Sequence, residues 1–368
     1  MDESKIDIWY LAHSVSSQGG GMERMSFALL DGLGDDFNLH VVASEGLAEL
    51  SHAQQRIPIQ LAPRPAFARI FGFWFRAPTK KELVASGGIS HTCGAINSGG
   101  SDIATVHLCQ AAANVVRGEN RRWRYLNARI ARMLGRRLER RMFKPHRTGL
   151  LVAVSDAVAA ELAKHYPKMP VRVISNGVDE RRYPYAPRDA DHPLRVLMVT
   201  GDFALKGVGD AIRALAMVRD KSTTLTVVGK GDAEPYINLA VSLGIGERVL
   251  FTGALPDVVP EYVTHDVILC NSTYESFGLF LVEAALTGCA VLSTDVGVAS
   301  RLVGESEGGV IFDGTPSQLA GWLDVWAVDR TGVVAMGKLA SRRAREFTTA
   351  RMVSAYEALY REIAASKE

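Results

Sequence analysis

The chain has 368 residues, 47% of them hydrophobic and 22% charged, which is too long for one ordinary core and apolar enough to fill two units of about 200 residues or fewer. That composition excludes disordered and fibrous classes, and four scattered cysteines, Cys93, Cys109, Cys270 and Cys289, with no CxxC pair suggest neither a disulfide framework nor a zinc site. The formal net charge is only +2, yet Arg117–Arg147 holds eleven arginines and one lysine against Glu119 and Glu139, so one strongly basic segment sits in an otherwise acidic chain.

The opening MDESKIDIWYLAH joins an acidic start to a short apolar stretch. That is the pattern of a first core strand, Ile6–Ala12, and not the basic-then-apolar pattern of a secretory signal. No run of about 20 apolar residues exists to span a bilayer, so the expectation is a reduced, cytoplasmic protein. Next comes Gln18-Gly19-Gly20-Gly21-Met22-Glu23-Arg24, followed by the helical pattern Met25, Leu29, Leu30, Leu33. Glycines at such a turn let backbone approach a ligand, and free amides at the helix start favour phosphate. The GxGxxG spacing is absent and no acidic residue ends the second strand, so a plain strand-to-helix turn explains the segment equally well.

Further strands are expected at Leu39–Ala43, Ile89–Thr92, Ile103–Leu108 and Leu150–Ser155, alternating with helical patterns. The class is therefore α/β, with parallel sheets covered by helices on both faces. Two stretches of this half combine aromatic and basic residues. One is Phe71–Arg76, containing Trp74, with Lys80 and Lys81. The other, Arg121–Phe143, places Trp123, Leu126, Ile130, Met133, Leu134 and Leu138 near one helical face, with arginines including Arg121, Arg122 and Arg129 over much of the rest. Trp74, Trp123, Arg121, Arg122 and Arg129 are the expected contacts to an anionic membrane through residues 117–147, or to an acceptor, each basic residue adding about 1 kcal/mol near a charged surface. A core-packed helix with solvated arginines stands level with that reading. Nucleic acid is the weakest partner, because no nucleic-acid motif accompanies the charge.

Asn176–Leu194 is dense in Pro, Asp and Arg and reads as a linker able to act as a hinge. Its Asp189-Ala190-Asp191 spells DxD but lies off any strand end, so solvated carboxylates are expected there and no metal. The alternation then restarts with strands at Arg195–Thr200, Leu225–Gly229, Val249–Thr252, Val267–Asn271, Val291–Thr294 and Val310–Phe312. Met352, Tyr356, Leu359, Tyr360 and Ile363 mark a closing helix over Arg351–Ser366.

Two loops of the second half carry chemistry. Gly201-Asp202-Phe203-Ala204-Leu205-Lys206-Gly207 follows its first strand and opens a helix, which places Lys206 to meet an anionic phosphate. Asn271–Ala284, with Glu275 in its loop and Glu283 on the helix that starts near Gly278, sits at the carboxyl edge of a parallel sheet, where such folds bind ligands. The two carboxylates are spaced to reach opposite ends of an elongated ligand, and the amides of Ser276, Phe277, Gly278 and Leu279 to cap a diphosphate.

The stretch ESFGLFLVEAALTG resembles the Glu-x7-Glu element of glycosyltransferase family 4, the retaining GT-B enzymes. The loop GG before the first helix, SDAVAAEL, ISNGVD, KG, VVGKGD, FTGALPDV and STDVG follow in family order and extend the resemblance over nearly the whole chain. It implies two Rossmann-like domains facing across a cleft: 1–175 for the acceptor, joined by the 351–368 helix, and 195–350 for the nucleotide sugar, with 176–194 between. It further implies that Glu283 binds the donor ribose, Glu275 faces the donor sugar, Lys206 neutralises the diphosphate, Leu255 and its neighbours flank the base, and His107 faces the transferred sugar. Gly20, Gly21, Gly201, Asp202 and Gly229 complete the donor-contacting set.

One departure is that no arginine precedes Lys206 where many family members carry Gly-Arg; GDFALKGV is closest to the branch that builds lipopolysaccharide cores. The implied activity is retaining, metal-independent transfer from a nucleoside-diphosphate sugar, UDP- or GDP-linked, to a carbohydrate, small-molecule or lipid-linked acceptor in bacterial surface-polysaccharide or glycolipid synthesis. No cofactor is expected, and the setting is cytoplasmic, with the inner face of the plasma membrane as a peripheral site. The rivals are a sugar-nucleotide 2-epimerase of the same fold, against which the ESFGLFLVEA form argues, and a silent glycan-binding scaffold, against which the presence of Lys206, Glu275 and Glu283 argues.

Overall fold

A computed structural model describes residues 5–61, 66–83, 88–112, 122–305 and 307–367, with the side chains of 66, 67 and 122–126 left aside. The chain forms two compact units, Met1–Gly177 with Thr349–Glu368, and Val178–Thr348.

The first unit runs β1 (Ile6–Leu11), α1 (Gly21–Gly32), β2 (Phe37–Ala43), β3 (Gln55–Pro58), α2 (Ala66–Arg76), α3 (Lys80–Leu83), β4 (Ile89–Cys93), β5 (Ser101–Val106), α4 (Arg122–Met142), β6 (Thr148–Ala153), α5 (Asp156–His165) and β7 (Val171–Val173). Its sheet has the order β3-β2-β1-β4-β5-β6-β7 and every pairing is parallel. Each strand read from the sequence is present. The two that were not read, β3 and β7, are the sheet's edges. All four residues of β3 are exposed and it ends in Pro58, while β7 has only three residues, so neither shows an apolar run. Ser155 caps α5 through a 3.2 Å bond from Val158 N–H, which sets where β6 gives way to helix.

The second unit runs β8 (Arg195–Val199), α6 (Val208–Met217), β9 (Thr224–Val228), α7 (Glu234–Ser242), β10 (Val249–Gly253), α8 (Val259–Thr264), β11 (Val267–Cys270), α9 (Leu279–Thr287), β12 (Ala290–Ser293), α10 (Ala299–Val303), β13 (Gly309–Ile311), α11 (Pro316–Val328) and α12 (Arg330–Ala344). Its parallel sheet has the order β10-β9-β8-β11-β12-β13. Val196, Met198, Leu225, Val227, Leu269 and Leu292 of its strands pack with Ile212 and Leu215 of α6 and Leu319 and Leu323 of α11 in one core. Seven consecutive residues of α9, Leu281–Thr287, are buried. That explains the almost unbroken apolar sequence of α9 and its weak helical periodicity.

Residues 178–188 are fastened to the second unit. Val178 N–H donates to Phe347 O at 2.9 Å and Ala186 N–H to Thr287 O at 3.0 Å. The Arg188 guanidinium gathers the carbonyls of Ala186, Tyr262, His265 and Thr287. Asp189, the first residue of the DxD, accepts the Asp191 N–H at 3.2 Å in a local turn.

The final helix, α13 (Thr349–Ala365), belongs to the first unit. Tyr360 OH lies 2.7 Å from His91 Nδ1, His91 Nε2 lies 2.7 Å from Thr105 Oγ1, and that hydroxyl lies 2.7 Å from Tyr356 OH. All four side chains are buried, and desolvation depresses the His91 imidazole to about 3. Arg361 adds an ion pair with Asp36 at 2.8 Å. The helical spacing read from Met352 to Ile363 is thus the face that docks on β4 and β5.

Candidate functional site

The second sheet reverses its winding between two neighbouring strands. From β8 the chain steps outward through β9 to β10, then returns to β11 on the other side of β8. At such a switch point a crevice opens outside the carboxyl ends of the strands. The loops after β8 and β11 meet there. Thr273 N–H reaches Leu205 O at 3.4 Å and Asn271 Nδ2 reaches Gly207 O at 3.5 Å. The Lys206 ammonium donates to Glu275 Oε1, with 18% and 14% of the two side chains exposed. A partly open cation and carboxylate are thereby held at the mouth of the crevice.

Gly207 permits that approach. It caps α6 in the left-handed region, φ 68°, and a Cβ there would lie 2.4 Å from Asn271 O. Gly297 does the same for the Glu275 loop from the other side. At φ 56° its added Cβ would meet Phe277 O at 2.3 Å and Glu275 Cβ at 3.2 Å. Val298 N–H donates to Phe277 O at 2.8 Å, and Thr294 Oγ1 to Ser272 O at 2.7 Å. Ser272 Oγ donates to Glu275 Oε1 at 3.5 Å.

Gly278, φ 86°, is the N-cap of α9. Behind it Phe277 is buried against Phe347, rings 5.8 Å apart, so its part in the loop is a core anchor. The first amides of α9 lack intrahelical partners by construction, which gives this loop a partial positive end. One turn further along, Glu283 is 5% exposed and accepts the Tyr262 hydroxyl on Oε2 at 2.9 Å.

The other residues expected on the donor side fall around the same edge. Gly201 faces open space, with nothing within 4 Å of an added Cβ. Asp202 shapes the turn, its Oδ1 accepting Leu205 N–H at 3.0 Å and its carbonyl accepting Lys206 N–H at 3.1 Å. Gly229 packs under β8, where a Cβ would lie 1.5 Å from Thr200 O, and its N–H donates to Gly253 O at 2.9 Å. Leu255 is half-buried in the loop after β10. Lys206, Glu275, Ser276, Gly278 and Leu279 converge on one edge. Tyr262 and Gly297 belong with them but escaped the sequence reading: the tyrosine lies on a short helix with no motif spacing, and the glycine was visible only inside STDVG.

In the first unit Gly20 caps α1 and is exposed with Gly21. A Cβ on Gly20 would come within 2.8 Å of Glu23 Oε2, so this helix start faces a carboxylate of its own. His107 directly follows β5, is half-buried, and desolvation lowers its imidazole to about 4. Of the expected surface contacts, Arg121 lies outside the described residues, as do the side chains of Arg122 and Trp123. Arg129 is exposed. Trp74 corrects the reading, for its ring is 5% exposed with the Arg141 guanidinium 5.3 Å above it. The rings α2 leaves outside are Phe71 and Phe75, 44% and 61% exposed. Those two follow at i and i+4, while Trp74 turns inward toward α4. Among the described residues no group of His, Cys, Asp and Glu is arranged to hold a metal, and no helix is long and apolar enough to cross a membrane.

Two doubly wound parallel sheets, one with a lysine–glutamate pair at its switch point, define the GT-B class of fold. Residues 186–338 match the family model described as "Glycosyl transferases group 1" and residues 19–182 that described as "Glycosyltransferase Family 4". The chain belongs to this glycosyltransferase family, with a first half of the family 4 type and a second half of the group 1 type. A D-inositol 3-phosphate glycosyltransferase of Corynebacterium efficiens is 33% identical over 230 residues, 55% of this chain and 54% of that protein. The chain spans about half the length of the curated relatives it matches. Among solved structures, WaaG, a glycosyltransferase involved in lipopolysaccharide biosynthesis, superposes with a TM-score of 0.73 at 20% identity over 96% of this chain and 99% of that one. Anabaena HepE in complex with UDP-glucose gives 0.67 at 19% identity, over 96% and 99%. At these identities the likeness is one of fold.

Proposed function

We propose that this protein is a retaining, metal-independent glycosyltransferase that takes a sugar from a nucleoside-diphosphate donor. The observation that carries the reading is the Lys206–Glu275 pair at the β8/β11 switch point, beside the α9 start and the buried Glu283. A departing nucleoside diphosphate develops negative charge, and a fixed ammonium with helix-start amides stabilises it without reorganising. Lys206 faces the diphosphate and the Ser276–Leu279 backbone caps it. Glu283 takes the ribose hydroxyls and Glu275 orients the sugar. The base lies near Leu255 and Gly229. The acceptor hydroxyl attacks the anomeric carbon from the face the diphosphate leaves. Its proton passes to the leaving phosphate oxygen, which preserves configuration without a protein nucleophile.

UDP is the donor nucleotide we favour, because HepE was solved with UDP-glucose and shares the fold. A role in lipopolysaccharide or related glycolipid synthesis agrees with the GDFALKGV loop and the likeness to WaaG. A carbohydrate or lipid-linked acceptor then belongs to the first unit. The exposed Phe71 and Phe75 of α2 and the exposed arginines of α4 suit attachment to the inner face of an anionic membrane. NMR of the anomeric proton during turnover of UDP-sugars is the test. Retained configuration at a rate unaffected by EDTA is expected; an inverted product or loss of turnover on chelation contradicts the mechanism.

A further inference from the structure

The arginine-rich helix α4 carries one acidic residue among those described, and it points inward. Glu139 is 4% exposed and its carboxylate is fully engaged. Oε1 accepts Gln110 N–H at 2.8 Å, while Oε2 accepts Ala111 N–H at 3.2 Å and the Tyr166 hydroxyl at 2.8 Å. Two more α4 residues grip the same turn. Arg136 Nε donates to Gln110 O at 2.7 Å. Gly135 gives the Gln110 side chain room to lie on the helix, since an added Cβ would come within 3.1 Å of Gln110 Cδ. The turn closes on itself through Ala112 N–H to Cys109 O at 3.1 Å. His107 precedes it by two residues, at the carboxyl end of β5.

A carboxylate withdrawn from water inside a cationic helix is costly unless its acceptors are used, and here three donors use them. A helix needing only solubility has no reason to bury its acid. We infer that Glu139 is a positioning residue for the His107 loop, clamping the Cys109–Ala112 turn to α4 and so fixing where the imidazole stands at the sheet edge. The inference rests on the reading that His107 faces the transferred sugar. Burial lifts the Glu139 carboxyl to about 7, and its three donors oppose that rise. What happens to α4 therefore reaches the His107 loop through the Glu139 carboxylate on two backbone amides and the Arg136 guanidinium on the Gln110 carbonyl.

The test uses the full chain labelled at histidine, with the His107 ring resonance assigned by loss in His107→Asn. Glu139→Gln keeps size but turns a donor toward Ala111 N–H and Tyr166 OH, breaking half the clamp. Tyr166→Phe removes one bond to the same carboxylate and leaves both loop amides held. The expected result is a shifted His107 resonance in Glu139→Gln and none in Tyr166→Phe, with His265 in the second unit still in both. With UDP-glucose hydrolysis as the assay, Glu139→Gln lowers kcat by about tenfold to a hundredfold at unchanged KM. An unmoved His107 resonance in Glu139→Gln, or equal effects of the two variants, overturns the inference. A shifted resonance with full turnover in His107→Asn supports the clamp and instead removes the assigned role of the histidine.

Discussion

Acidification probes the packing of α13 against the first sheet. His91 is fully buried, with one ring nitrogen 2.7 Å from Tyr360 OH and the other 2.7 Å from Thr105 Oγ1. Burial, with a smaller contribution from nearby His107, lowers its imidazole from 6.5 to about 3. The unfolded chain then binds the proton more readily than the folded one. The contribution of His91 is intact above pH 6.5 and falls as pH drops toward about 3. Between pH 6.5 and 5 that slope is worth about 2 kcal/mol, at about 1.36 kcal/mol per pH unit. His91→Gln keeps polar atoms in place and does not titrate. His13 and His107, both lowered to about 4, titrate in either chain and cancel in the comparison. Guanidinium denaturation at pH 7.5 and at pH 5, followed by circular dichroism with the two units fitted separately, gives the difference between wild type and variant. That difference is expected to shrink by about 2 kcal/mol on acidification. A difference independent of pH refutes the claim that His91 is held neutral between α13 and the sheet.

Tyr262→Phe removes the hydroxyl 2.9 Å from Glu283 Oε2 in a buried pair, so stability should fall by about 1.5–3 kcal/mol and UDP affinity by about tenfold, read by denaturation and calorimetry. Unchanged affinity would separate Glu283 from the donor. Gly297→Ala places a Cβ 2.3 Å from Phe277 O at φ 56°, and should weaken nucleotide binding by displacing the Glu275 loop, whereas Gly321→Ala, with open space at its Cβ, should leave binding unaltered. Equal binding by the two would show that the Glu275 loop tolerates the shift.

Much of this was legible because it follows local rules. Buried parallel strands read as Val, Ile and Leu runs, and the ESFGLFLVEA loop combines a left-handed glycine cap with a buried helix. What escaped the sequence has no such signal. The edge strands Gln55–Pro58 and Val171–Val173 bury too little to show a pattern. Trp74 counted as a surface aromatic because α2 is aromatic nearly all round, and only its packing against α4 decides which ring turns inward. Glu139 and Tyr262 act through partners 28 and 21 residues away in sequence, a relation that spacing along one helix cannot reveal.

The most direct measurement is binding of UDP, GDP and their sugar conjugates by calorimetry and thermal shift to wild type, Lys206→Ala and Glu275→Ala. At 100 times its dissociation constant a ligand stabilises the fold by about 2.7 kcal/mol. The account predicts that one sugar nucleotide stabilises the wild type selectively, that Lys206→Ala loses affinity for the free diphosphate as well, and that Glu275→Ala loses mainly the preference for the conjugate over the diphosphate. Equal binding by all three proteins, or no binding of any nucleotide to the wild type, would contradict a donor site at the β8/β11 switch point.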